Sequence, residues 1–171
     1  MEMKSFWKNK KVLITGADGF IGSHLTEKII DLKSKVIAVV RGTSANATNL
    51  YKFNNLGEKY RKKVFKVINC DISSTDIIYQ IRNSNPDIIL HLAASAYVPF
   101  SFDHPLEVNE SNVTGTLNIL EAARQLKKLK KIICTSSSEV YGTELSKKIN
   151  EKHPLNPTSP YAASKVAADR Y

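Results

Sequence analysis

Cysteine is scarce in this sequence: Cys70 and Cys134 are the only two in 171 residues, too few for a disulfide framework. Both close apolar runs, which predicts buried free thiols that behave as small hydrophobes. No apolar stretch is long enough to cross a bilayer. Residues 1–11 are polar and basic, without the apolar core of a secretory signal. Together these absences predict a reduced, cytoplasmic protein with no membrane partner, so the matches to the glycosylation sequon at Asn46 and Asn112 are read as chance. Acidic residues are also few, 16 Asp and Glu against 25 Lys and Arg, for a formal charge of +9. Such a surplus suits either nucleic acid or a solvated basic surface. The lysines cluster at 8–11, 59–66 and 127–131, with no glycine among them and aromatics only at Tyr60 and Phe65, which favours the surface and no nucleic-acid partner. A phosphate-bearing ligand would still gain from the field.

With 42% apolar residues, the chain can bury one core of ordinary size, so a single domain over 1–171 is expected. β-branched runs at 12–15, 36–40, 64–68, 88–92 and 132–135 alternate with amphipathic stretches at 21–32, 75–82 and 106–129. That rhythm predicts βαβ units: an α/β fold of Rossmann type, doubly wound, with five parallel strands buried on both faces. In the last helical stretch Val113, Leu117, Leu120 and Leu126 would line one face. The polar segment 42–59 is long for a βα connection, and a short helix is expected near 49–56. Pro154, Pro157 and Pro160 exclude a regular helix over 151–160 and deliver the chain to a new one at about Tyr161. Sheets of this type normally continue with a further strand, so the sequence reads as truncated after about five.

Three motifs carry chemistry. Gly16, Asp18, Gly19, Phe20, Ile21 and Gly22 follow the first strand and open the first helix, where glycines allow a tight turn and let phosphate approach backbone N–H groups. The spacing GxxGxxG differs from the GxGxxG fingerprint, but the strand before and helix after support a pyrophosphate site. The second strand ends at Arg41, where a carboxylate would select NAD. A guanidinium with Thr43 and Ser44 beyond it favours NADP, with NAD as the alternative. Asp71, at the end of the third strand, is placed either to touch the adenine amino group or to cap the following helix. The second motif, Tyr161 to Lys165, sets a phenol and an ammonium one helical turn apart. A nearby cation favours phenolate, which would let Tyr161 act as a general base. In the third, Ser136, Ser137, Ser138 and Glu139 follow the fifth strand at the end where open α/β sheets bind ligands. No metal site is expected.

In order and spacing these motifs resemble the extended short-chain dehydrogenase/reductases, within them the nucleotide-sugar 4,6-dehydratases, epimerases and decarboxylases. The likeness includes Cys70-Asp71-Ile72, His91-Leu92-Ala93-Ala94, Asn112 to Thr116 and Ser159 to Lys165. It implies that Tyr161 is the catalytic base, that Lys165 binds the nicotinamide ribose and tunes the tyrosine, and that Ser137 meets the sugar hydroxyl being oxidised. It also implies that Ile72, Leu92, Ala93 and Ala94 line the cofactor site, that Asn112 is structural and water-organising, and that 94–102 is a loop near the nicotinamide and hexose. Ser138 and Glu139 look like the Ser-Glu pair of GDP-mannose 4,6-dehydratases and UDP-glucuronate decarboxylases. The implied function is a nucleotide-sugar 4,6-dehydratase, homodimeric when whole, of which this chain is the cofactor-binding part and inactive alone. A 4-epimerase, a decarboxylase, a non-catalytic NAD(P)-binding module and a nucleic-acid binder are the alternatives.

Overall fold

The computed structural model describes residues 2–42, 55–143 and 148–171. Five strands form one sheet: β1 (Lys11–Thr15), β2 (Lys35–Val40), β3 (Lys66–Asn69), β4 (Ile88–His91) and β5 (Lys131–Cys134). All pairs are parallel, in the order β3-β2-β1-β4-β5. The expected architecture is therefore present, with β1 at the centre and the chain reversing direction across the sheet beside it.

Strand alternation sorts the core into two layers. Val12, Ile14, Val36, Ala38 and Leu90 project to one face and pack with Ile29 and Ile30 of α2 (Phe20–Asp31). Leu13, Ile37, Val39 and Ile89 project to the other, against Ile77 and Ile81 of α4 (Asp76–Ser84) and Ile119 and Ala122 of α7 (Gly115–Arg124). Both faces are thus covered, and the apolar runs of β1, β2 and β4 follow from that double burial.

Several expectations are corrected. β5 is not buried: it is an edge strand, with Ile133 half exposed and Cys134 exposed, while Cys70 is half-buried. The stretch expected as one helix over 106–129 is α6 (Pro105–Asn109), a π-helical turn (Glu110–Thr114) and α7, ending at Arg124. The extra residue of the π turn shifts the helical register, so Thr116, Ile119, Ala122 and Ala123 are buried where Leu117 and Leu120 were expected. Residues 98–103, expected as loop, form α5 (Val98–Asp103), with Pro99 in its first turn where a missing N–H costs nothing. The sequence also gave no sign of α1 (Glu2–Trp7) or α3 (Glu58–Arg61). The short helix near 49–56 falls largely outside the described residues, as do Thr43, Ser44 and the Asn46 sequon. The last helix, α8 (Pro160–Arg170), starts where the prolines place it, with the Ser159 hydroxyl accepting from Ala162 N at 3.0 Å.

Candidate functional site

At the C-terminal end of the sheet the chain leaves β1 through Gly16, whose φ of +66° is left-handed. A Cβ there would meet Ala93 N at 3.0 Å, and one on Gly22 would stand 1.9 Å from the Gly16 carbonyl oxygen. Glycine is therefore required at both: at Gly16 by conformation and approach, at Gly22 because α2 crosses the turn in contact. Gly19 N–H donates to Gly16 O at 3.0 Å and caps α2 without any side-chain partner. The first N–H groups of a twelve-residue helix are thereby directed at the space above the turn.

That space is a cavity of about 290 Å³ lined by Gly16, Asp18, Gly19, Arg41, Asp71, Ile72, Leu92, Ala93 and Ala94. Nine of the expected site residues are brought together, with Val39, Val40, Cys70 and Ser111, which sequence reasoning missed. Phe20 and Ile21 are 77% and 64% exposed and do not line it, and Gly22 is buried behind the turn. Arg41 Nη1 lies 3.6 Å from Asp71 Oδ2, and Asp71 Oδ1 accepts from Ser73 N at 2.9 Å and Ser73 Oγ at 2.8 Å. Burial pushes the Asp71 carboxyl up, but the Ser73 hydrogen bonds and Arg41 outweigh it and hold the group below its ordinary value. Asp71 thus closes a turn over 71–74; the residue at the N-cap of α4 is Thr75. Gly42 N donates to Asn69 Oδ1 at 2.7 Å, which ties the chain just beyond Arg41 to the end of β3.

The loop after β4 is held by a relay that the sequence did not reveal. Thr15 Oγ1 accepts from Leu92 N at 3.1 Å and Ala93 N at 3.0 Å, so its own proton goes to His91 Nδ1 at 2.7 Å. His91 Nε2–H then donates to Thr116 Oγ1 at 3.0 Å, whose hydroxyl donates to Asn112 O at 2.6 Å. Burial, with the Lys165 charge adding to it, pushes the His91 imidazole down to about 4. Asn112, in the π turn, accepts from Ser95 N at 2.7 Å and donates to Ser95 O at 3.1 Å and Ser164 Oγ at 2.9 Å. A single buried amide therefore joins the loop after β4 to α8, the structural part of its expected role, and at 1% exposure Asn112 is no glycan acceptor.

On α8, Tyr161 and Lys165 are both buried at 8% exposure. The ammonium of Lys165 donates to Thr135 O at 2.6 Å, fastening α8 to the end of β5. Burial pushes the Lys165 pKa down, while Cys134 and Asp169 pull it back up. Ser137 caps a 3-10 turn, Ser138–Tyr141, its hydroxyl accepting from Glu139 N at 3.2 Å. That turn packs on α8, and Glu139 is exposed. Among the described residues no group of His, Cys, Asp and Glu could hold a metal ion, and no helix is long and apolar enough to cross a membrane.

A doubly wound parallel sheet with its glycine turn, loop and Tyr-Lys helix at one end defines an extended short-chain dehydrogenase/reductase of the nucleotide-sugar group. Residues 13–171 match the family model for GDP-mannose 4,6 dehydratase, and the chain belongs to that family. It is 34% identical over 160 residues to a putative UDP-glucose 4-epimerase of Methanocaldococcus jannaschii, covering 94% of this chain and 49% of that protein. A dTDP-D-glucose 4,6-dehydratase of Dictyostelium discoideum is 36% identical, over 94% of this chain and 39% of the relative. Among solved structures, a UDP-N-acetylglucosamine 4-epimerase from Methanobrevibacter ruminantium superposes with a TM-score of 0.82 at 34% identity, over 96% of this chain and 49% of that one. A Bordetella bronchiseptica enzyme solved with NAD+ gives 0.78 at 26% identity, over 95% and 51%. The chain spans about half the length of the curated relatives it matches.

Proposed function

We propose that this chain is the dinucleotide-binding part, over 1–171, of a nucleotide-sugar 4,6-dehydratase. The observation that carries the reading is the cavity above the Gly16 turn, lined on one side by Leu92, Ala93 and Ala94 of the loop after β4. The cavity suits the pyrophosphate of a nicotinamide dinucleotide: the Gly16 turn and the N-terminus of α2 border it, and Gly16 and Gly22 let the loop after β4 and α2 close on that turn. When bound, that cofactor supplies the hydride acceptor. Tyr161 takes the proton of the sugar hydroxyl at carbon 4, Ser137 orients that hydroxyl, and Lys165 keeps positive charge one helical turn from the phenol. Glu139 takes the proton on carbon 5, acidified by the ketone at carbon 4, as water leaves carbon 6. A 4-epimerase needs Tyr161 but not Glu139; the epimerases among the relatives favour that second reading.

The choice between NAD and NADP rests on Arg41. The Asp71 carboxylate beside it shares the cation that a 2′-phosphate would use, which narrows the preference for NADP that Arg41 alone gives. Calorimetric titration with NADH and NADPH tests the assignment. Saturable binding that is lost in Gly16→Val supports it; no binding by the folded chain sinks it. In Asp71→Asn the Arg41 guanidinium is released, and the affinity for NADPH relative to NADH is expected to rise by about tenfold.

A further inference from the structure

Because every strand runs the same way, the segments leading into them, 8–11, 32–35, 62–66, 85–87 and 125–131, all lie at the end of the sheet opposite the cavity. Those segments hold twelve lysines, no arginine and one acidic residue, Asp87. The Asp87 carboxylate is already engaged, accepting from Lys11 N at 2.8 Å. The formal charge of +9 is thus gathered at one end of the molecule. Helix dipoles do not account for it: α2, α4 and α7 carry Lys28, Arg82 and Arg124 in their own last turns.

The ammonium groups of Lys11 and Lys66 are held at Ser84 and that of Lys62 by Glu58, and backbone bonds join the segments that carry the others. Lys35 N donates to Lys10 O at 2.8 Å, Asn9 N to Lys33 O at 2.9 Å, and Lys130 N to Asp87 O at 2.8 Å. Two aromatics that neighbour these lysines in the sequence, Phe6 and Phe65, lie among them in the fold. Phe6 and Phe65 are 48% and 54% exposed. Lys10 Nζ lies 4.8 Å from the Phe6 ring centre and Lys35 Nζ 5.4 Å from that of Phe65. Since Lys10 and Lys35 are joined through their backbones, Phe6, Lys10, Lys35 and Phe65 make a continuous strip.

We infer that this end docks on an anionic phospholipid surface, a partner that the sequence alone argued against. Lysine is a hydrated point charge on a flexible stem, suited to a diffuse layer of phosphates rather than to forked recognition of one. The strip lacks the arginine on which base readout draws, and its two phenyl rings already carry ammonium groups where a base would stack. Half-exposed phenylalanines beside lysines gain apolar burial at the headgroup level. Docked this way, the cavity faces water.

The test is co-sedimentation of the chain with phosphatidylcholine vesicles, with and without phosphatidylserine, at low and high salt. The expected result is binding only to the phosphatidylserine vesicles, weakened by salt. Combining Lys33→Gln, Lys35→Gln, Lys128→Gln and Lys130→Gln reduces binding by about tenfold or more. Phe6→Ser with Phe65→Ser weakens it while keeping its salt dependence, and Lys152→Gln, in the loop beyond the C-terminal end of β5, leaves it unchanged. Equal binding to neutral vesicles, no binding at low salt, or full binding by a folded fourfold lysine variant overturns the inference. Tighter binding to single-stranded DNA than to the vesicles at the same salt also overturns it. Dinucleotide titration is independent of all these outcomes.

Discussion

Gly22 lies where α2 crosses the Gly16 carbonyl, so the smallest side chain has nowhere to go. Gly22→Ala is expected to destabilise the fold by about 2 kcal/mol or more, by overpacking against backbone, and urea denaturation measures it. His91 sits at the other extreme, large, buried and fixed in one tautomer by Thr15 and Thr116. Its folded pKa of about 4 lies below the ordinary 6.5, so the unfolded chain binds the proton first. The contribution of His91 is fully present above pH 6.5 and is lost as pH falls towards 4, up to about 3 kcal/mol. Stability measured across that window should fall with acid more steeply in the wild type than in His91→Phe, which has no proton to bind.

At the scale of elements, the π turn matters because it turns Asn112 inward to hold both the loop after β4 and α8. Asn112→Leu leaves Ser95 N and O without their partner. A loss of about 2–4 kcal/mol is expected, with the Ser95 amide exchanging faster by hydrogen exchange. The element pattern was largely legible. Each strand lies within two residues of its apolar run, because burial on both faces demands unbroken hydrophobes, and the glycine turn and the prolines before α8 are local rules read locally. The π turn was not legible, since it answers to a contact between Asn112 and Ser164 across 52 residues. α5 was hidden for a different reason: Pro99 reads as a breaker unless it is known to lie in a first turn. Of the candidate site, Gly16, Asp71 and Ala93 announced themselves through motifs. Thr15 did not, and His91 and Thr116, although inside quoted motifs, carried no role there, because each of the three is defined only by the other two.

At the scale of the whole molecule, β5 leaves one edge of the sheet without a neighbour among the described residues, and Ile133 on it is 50% exposed. An unpaired, apolar edge is a template for another chain. Sedimentation velocity is expected to show association that grows with concentration, and Ile133→Lys should suppress it without changing the circular dichroism spectrum. The open edge lies beside the Thr135 carbonyl that holds Lys165, so whatever pairs with β5 also borders the candidate site.

The central place of β1 has a consequence for the newborn chain. β1 is made early, but its pairing with β4 joins residues 76 apart in the chain, Val12 with Ile88. At synthesis rates of about 5–20 residues per second, the ribosome needs about 4–15 s to supply that partner. For that interval Val12, Leu13 and Ile14, which are wholly buried in the finished protein, have no β4 beside them. Any chaperone that attends this chain during translation has those few seconds in which to act.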